Sequence, residues 1–566
     1  MSILFPQSYN GKYNQLSKTC IHDLGLDQLV KEISPKELEQ TLILKVLSNI
    51  TSDKDVARFR IDIFDDILAN KSMRETMLKI LDKINFLKDY GSFLRETPEG
   101  AAPIWDLLHR LGDLRDYILC VESLYECLKE ADIHSKGLND LKDQIYALYE
   151  DNGFKELKKD IESLKTTTDN LKSVTIGVNL NQRFEAESIG VVSINNKPFT
   201  KSNALGGFLD KLNRKDNLNE NCEWSKNFSY HPFTISGNGA HLIDSLSETA
   251  MMMAFPILAT GITPVPDKDS TSDLPRYMNR VTNHMLSLSI TTLKEVLSKY
   301  IGVTIIDITS LIPELLYYVK WAEYIEKKSA EGFIFSKPSV CVEDSLTTRA
   351  KGVYNLKLLD AVNEMSQIVT NDFIFDRDHY VYLLTGANRG GKTTITQAIG
   401  QLFVLAQGGI HIPGSGFSFQ PVDNIFTHFP ADEDQTLDLG RLGEECTRFS
   451  SIFCECTCES LLLLNETFST TSFEEGYFIA YDSVRAIMSK GVRTVYNTHM
   501  HKLARKIEEF NSDDTKIKAA SIIVESTDGN RSFKVKLSEP EGSSFAHDIA
   551  EKYGVTYEKL INCENS

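Results

Sequence analysis

The octapeptide GANRGGKT, residues 386–393, sets three glycines, a lysine and a threonine in the pattern G-x-x-x-x-G-K-[ST]. Phosphate oxygens need several backbone N–H groups pointing inward, and glycines let a chain curl tightly enough to supply them. The apolar strand candidate VYLLTG leads into the loop and the helical TTITQAIGQLFVLAQ follows it, so a positive helix N-terminus adds to the anion site. Gly386, Ala387, Asn388, Arg389, Gly390, Gly391, Lys392, Thr393 and Thr394 are therefore predicted to hold the phosphates of a nucleotide. Lys392 would neutralise the β- and γ-phosphates, and the Thr393 hydroxyl would ligate Mg²⁺.

Further along, the run LLLLNE ends on Asn465 and Glu466. Ligands of open α/β sheets collect at the carboxyl ends of the strands, which puts both side chains beside the phosphates. Most nucleotide-hydrolysing folds end this strand on two carboxylates, the first serving Mg²⁺ through its water shell. Asn465 keeps an acceptor oxygen but not the negative charge, so it attracts the ion less. Glu466 keeps the carboxylate that orients and deprotonates an attacking water. A third strand candidate, RTVYNTH, ends at His499, which is predicted to hydrogen-bond the γ-phosphate; His501 lies farther from the strand end. A metal pair of His499 and His501 is disfavoured, because alternate residues of a turn rarely face one ion. In LDLGRLGEECTRF, Gly440, Arg441 and Glu445 stand at a helix start. From its residues alone this is either a plain surface helix or one whose N-terminus faces a second nucleotide.

These residues need a frame. From about residue 351, short apolar runs alternate with helical segments, the pattern of an α/β domain over 351–566. Within it ASIIVES and SFKVKLS flank Asp528 and Gly529 as a hairpin, and SSFAHDIAEKYGVTYEKLI reads as two short helices. Upstream, apolar residues recur at three and four, as in Leu107, Leu111, Leu114, Ile118, Val121 and Leu128, which predicts a helical region over 1–173. TIGVNL and GVVSIN change the period, so a small, partly β insert is predicted over 174–233. Its later part carries Lys197, Lys201, Lys211, Arg214, Lys215 and Lys226, diluted by Asp210, Asp216, Glu220 and Glu223. That mixture is a solvated loop by default and a DNA-touching tip as the rival reading. Helical spacing returns over 234–350, most clearly in LIPELLYYVKWAEYIEKK.

Composition bounds what such a frame can do. The chain has 566 residues, 42% hydrophobic and 25% charged, which is ordinary globular usage. Its formal net charge of −18 repels phosphate backbones on average, so any nucleic-acid contact must be confined to a local basic patch. MSILFPQSYNGKYNQ has no basic region followed by an apolar stretch, and AMMMAFPILATGI falls short of the roughly 18 residues of a membrane span. A cytoplasmic protein without a membrane partner is expected. Cys454, Cys456 and Cys458 have no second cluster to complete a metal site and read as reduced thiols.

Together, TGANRGGKTT, GRLGEE, LLLLNETFSTTS and THMHKLA stand in the order and spacing of the ATPase domain of the MutS family, the mismatch-repair ATPases of the ABC-like class. The chain resembles that family strongly from about Val381 to Leu503. More distantly, IHDLGLDQLV and DVARFRIDIFDDIL resemble the core of a MutS-related subfamily that lacks the mismatch-reading domain. The resemblance implies an α/β P-loop NTPase domain, ABC-like and of MutS type, preceded by a mostly α-helical lever and core region whose β-containing insert is a candidate clamp. It implies ATP and Mg²⁺ as cofactors, with Gly386, Asn388, Gly391, Lys392 and Thr393 binding them, Glu466 activating water and His499 sensing the γ-phosphate. Gly440 to Glu445 would act in trans on the partner's nucleotide in a homodimer, with Thr471 and Ser472 in the inter-subunit loop. SSFAHDIAEKYGV resembles the tail that helps such domains dimerise.

The departures from the family pattern bear on mechanism. Asn465 replaces the usual aspartate, Gly440 the signature serine, and FST the family's GRG between Glu466 and Thr471. GVYNL stands where many members carry Arg-His-Pro near the adenine, which leaves Tyr354 as the candidate for base stacking. Phe154-Lys155-Glu156 fits the three letters of the family's Phe-x-Glu mismatch wedge but lies in a charged helical stretch. The first expectation is thus an ATP-hydrolysing, DNA-associated homodimer in mismatch repair or related DNA maintenance. Its rivals are a MutS-like ATPase acting on ribosomes or branched nucleic acid, and a non-hydrolysing nucleotide switch.

Overall fold

VYLLTG and LLLLN carry no polar alternation, as expected of strands covered on both faces. In the computed structural model of the chain both are interior strands of one six-stranded sheet. The structure describes residues 2–83, 104–168, 173–180, 182, 186–195, 262–264, 296, 311–341, 347–386, 390–430, 440–470, 472–511, 517–527, 530–538, 551, 555–556 and 559–560.

The sheet is built from β1 (Val381–Gly386), β2 (Ile425–His428), β3 (Leu461–Asn465), β4 (Arg493–Asn497), β5 (Ala519–Thr527) and β6 (Asn530–Leu537), in the order β2-β3-β4-β1-β5-β6. The first five run parallel and β6 returns antiparallel to β5. Three helices accompany them: α1 (Lys392–Gln407), α2 (Gly440–Glu455) and α3 (Phe473–Lys490). Helix α1 is buried along nearly its whole length, with Lys392, Thr396, Gln401 and Gln407 among its buried residues. Gly400 lets it lie close to its neighbours: a Cβ there would stand 2.5 Å from a methyl of Leu24 and 2.8 Å from one of Leu463. Leu383, Leu464 and Tyr496 instead join Val484, Ile487 and Phe449, from α3 and α2, in a common core.

The molecule divides into two compact units, the first comprising residues 1–82, 124–144 and 307–566. Here the helix Lys54–Ala69 is tied to the end of α1 by a buried guanidinium. Arg60 Nε donates to Leu4 O at 2.9 Å, and its Nη1 donates to Asn49 O and Gln407 O, each at 3.0 Å. Tyr317, on the helix Leu311–Ala330, donates its hydroxyl to Gly408 O at 3.0 Å. The side chain of Gln407 donates to Thr51 O at 3.0 Å and Val422 O at 2.8 Å. Arg60 and Tyr317 thus satisfy the carbonyls of Gln407 and Gly408, which the end of α1 leaves open, while the Gln407 side chain ties that end to two neighbouring segments. A four-stranded sheet completes this unit, with Thr348–Val353 between Gly416–Phe419 and Asn371–Phe375.

The second unit comprises residues 83–123 and 145–306. It holds the helix Asn152–Thr168, in which Phe154 is buried edge-on against Tyr117 with ring centroids 6.0 Å apart. The Phe-Lys-Glu triplet therefore contributes a core residue there, as a helical reading demands. Ser173–Leu180, Ala186–Asn195 and Ile262–Pro264 form an antiparallel three-stranded sheet. Its third strand falls inside 234–350, where the sequence predicts helices, as do the strands Phe335–Ser336 and Ser339–Val340 and the start of Thr348–Val353. Pairing with a distant strand decides these short segments, and helical spacing cannot register that. The basic residues from Lys197 to Lys226, Asp528 and Gly529, and most of the C-terminal segment lie outside the described residues. Among the described residues no helix is long and apolar enough to cross a membrane.

Candidate functional site

A cavity of about 670 Å³ opens where β1, β3 and β4 end, lined by Gly390, Gly391, Lys392, Thr393, Thr394, Glu466 and His499. The parallel order brings these together from three separated stretches of sequence, as open α/β sheets do at their carboxyl edges. Apolar side chains share the cavity: Val353, Leu358, Ile368, Val369 and Phe533. It is large enough for a nucleotide-sized ligand, with polar and apolar lining both present.

The loop geometry follows from its glycines. Gly386 has φ +134°, and a Cβ on it would stand 3.2 Å from the Val524 backbone N on β5. Gly391 starts α1 in the left-handed region at φ +90°. Lys392 is buried, and its Nζ donates to Gly386 O at 3.0 Å, closing the loop on itself. Burial pushes its ammonium pKa down, partly offset by the carboxylate of Glu466. Ala387, Asn388 and Arg389 lie outside the described residues.

Asn465 ends β3 beside the loop. Its Oδ1 accepts from Thr393 Oγ1 at 3.0 Å and also from Asn497 Nδ2, Asn497 being its register partner on β4. Two hard oxygen donors, hydroxyl and amide carbonyl, therefore converge at the start of α1, a set that suits Mg²⁺ in chemistry but brings no charge. Glu466, the next residue, has φ +52°, and its N–H donates to Asn497 O at 2.8 Å. A left-handed non-glycine costs on the order of 1–3 kcal/mol and persists only where neighbours hold it. The holding groups flank Thr467: its Oγ1 donates to His428 O at 3.2 Å, and its carbonyl accepts from Tyr496 Oη at 2.9 Å. His428 Nδ1 lies 3.0 Å from the same hydroxyl, and its Nε2 lies 3.2 Å from Glu445 O.

His499 Nε2 lies 2.7 Å from Glu466 Oε1. That hydrogen bond is the main cause holding the Glu466 carboxyl below the usual glutamate range, against the opposing effect of burial. His501 has its pKa lowered by burial and by the neighbouring His499. Its backbone N–H donates to His499 O at 3.0 Å.

Other expected residues stand apart. Gly440 and Arg441 open α2, and Glu445 accepts from Thr470 Oγ1 of its own chain at 2.9 Å. Thr471 is outside the described residues; Ser472 Oγ donates to Glu475 Oε2 at 3.0 Å. Tyr354 lines the cavity, but it is buried with its hydroxyl donating to Ile334 O at 2.8 Å. The residues that sequence reasoning missed are Asn497, His428, Phe533 and the apolar wall. A signal existed for Asn497 alone, since it is the polar residue that ends a buried strand.

Residues 382–564 match the family model for MutS domain V. The DNA mismatch repair protein MutS of Chlorobium phaeobacteroides is 32% identical over 176 residues, which is 31% of this chain and 20% of that protein. The probable DNA mismatch repair protein Msh6 of Drosophila melanogaster is 37% identical over 131 residues, 23% of this chain and 11% of that protein. Endonuclease MutS2 of Finegoldia magna is 27% identical over 271 residues, 46% of this chain and 34% of that protein. The aligned stretches thus span between 11% and 34% of these relatives' lengths. The phosphate-type loop from Gly390 onward and the strand ends facing it thus lie inside the stretch, about a third of the chain, that is similar to MutS domain V.

Proposed function

We propose that this chain binds and hydrolyses ATP in the cavity at the ends of β1, β3 and β4, and couples the nucleotide to DNA. The observation that carries this reading is the meeting of three groups at one cavity: Lys392 with Thr393, Asn465 behind them, and Glu466 paired with His499. The backbone N–H groups at the start of α1 would bind phosphate oxygens, and Lys392 would exchange Gly386 O for them. Mg²⁺ would be held by Thr393, with Asn465 receiving a hydrogen bond from its water shell. The ion would supply charge neutralisation to the triphosphate. Glu466, ionised at neutral pH, would orient a water and take its proton, while His499 turns between that carboxylate and the γ-phosphate. The apolar wall of Leu358, Ile368, Val369 and Phe533 would take the base.

The family and the relatives named for mismatch repair support DNA as the partner ahead of the ribosome. A homodimer in which Gly440, Arg441 and Glu445 reach the partner's nucleotide is the arrangement we infer. The residue 351–566 segment would be the ATPase domain, and the helical remainder would lever a clamp on DNA. The deciding measurement is phosphate release with and without homoduplex, mismatched and branched DNA at stated salt, beside ribosome co-sedimentation. Stimulation by one DNA supports the reading. Nucleotide uptake without phosphate release, in Mg²⁺ and in Mn²⁺, would leave only the non-hydrolysing switch.

A further inference from the structure

An asparagine amide presents oxygen on one side and NH₂ on the other, whereas an aspartate presents oxygen on both. Asn465 can therefore serve a cation only if something decides which side faces Thr393. That group is Asn497. Its Nδ2 donates to Asn465 Oδ1, the same oxygen that accepts from Thr393 Oγ1 at 3.0 Å. Turning one amide alone would set two oxygens or two NH₂ groups face to face, so the pair turns together or not at all. Both side chains are buried, at 0% exposure for Asn497 and 6% for Asn465, so bulk water does not compete for the bond. Asn497 Oδ1 has no hydrogen-bond partner among the described residues, so the donation to Asn465 is kept although an acceptor goes unpaired.

We propose that Asn497 is a positioning residue for a divalent cation: by donating to Asn465 it holds a neutral carbonyl oxygen beside the Thr393 hydroxyl. Residues that orient a metal's ligands act on affinity without touching the metal. The position matters here because β3 ends on an amide instead of a carboxylate, and a turned amide would offer the cation an N–H donor. The inference rests on the nucleotide reading above and deepens it.

The test measures Mn²⁺ affinity by electron paramagnetic resonance in the presence of a non-hydrolysable ATP analogue, for wild type, Asn497→Ala, Asn465→Asp and the double variant. Analogue affinity in EDTA is measured alongside. Asn497→Ala should weaken Mn²⁺ binding about tenfold or more while leaving metal-free analogue binding unchanged. In the Asn465→Asp background the same change should cost nothing, because a carboxylate needs no orienting partner. No loss in Asn497→Ala, an equal loss in both backgrounds, or a matching loss in EDTA overturns the proposal. Should Asn497→Ala fail to fold, Asn497→Asp decides: a carboxylate cannot donate, so Mn²⁺ affinity should fall although negative charge is added, and a rise overturns the proposal. If wild type takes up no analogue with or without metal, the nucleotide reading itself falls.

Discussion

His499 and Glu466, each just past the end of a parallel strand, meet side chain to side chain at 2.7 Å. A base held in this way is charged before substrate arrives. We expect Glu466→Gln to keep nucleotide binding and lose turnover by about 10²–10⁴-fold, the usual contribution of a positioned base. Phosphate release, with analogue-induced thermal shift as the binding control, checks this. Wild-type turnover in that variant would remove Glu466 from the chemistry.

The same contact sets a pH dependence. The His499 hydrogen bond lowers the Glu466 pKa. A carboxyl so depressed adds stability above its unfolded pKa and loses it as pH falls through the folded value. His499→Ala removes the main lowering cause, so the acid limb of kcat should move to higher pH. A pH–kcat profile with an unmoved acid limb would show that the pairing does not tune the base.

Lys392 carries a buried charge whose pKa burial lowers. Replacing it by an apolar side chain of similar length relieves that desolvation. Lys392→Met should therefore keep or gain up to about 1 kcal/mol of ligand-free stability, while losing the rise in Tm that ATP confers on wild type. Thermal unfolding with and without ATP separates the two effects. A variant that unfolds early without ligand contradicts this account.

Burial pushes the His428 imidazole down from the ordinary histidine range to about 4. A histidine with a depressed folded pKa adds stability above its unfolded pKa and loses it as pH falls through the folded value. Between pH 7 and 4.5 wild type should thus lose on the order of 2 kcal/mol more than His428→Gln, which has no charge to acquire. Urea unfolding at the two pH values tests this, and parallel losses would rule it out. At pH 7, loss of the bonds to Thr467 and Glu445 should cost about 1 kcal/mol.

Much of the site was legible because its chemistry is local. GANRGGKT needs only its own glycines and the helix after it, and LLLLNE and RTVYNTH announce buried strands by lacking alternation. Their ends converge because parallel strands in one sheet share a carboxyl edge. What stayed hidden depends on register and distant packing. Asn497 matters only because it stands opposite Asn465, and His428 only because β2 lies next to β3. Phe533 reaches the cavity from β6, a strand more than 140 residues beyond the loop at Gly386. The contact of Glu445 with Thr470 equally could not be read from a helix start.

The grip on the trailing end of α1 has a mechanical consequence. Arg60, Tyr317 and the Gln407 side chain pin that end, while the leading end follows Gly391, a glycine in the left-handed region. Sixteen residues make a rod about 24 Å long. Pushing the phosphate end sideways by about 1 Å would swing such a rod by about 2° around its pin. Part of that torque would reach the helix Lys54–Ala69 through the Arg60 guanidinium, one of the three side chains at the pin.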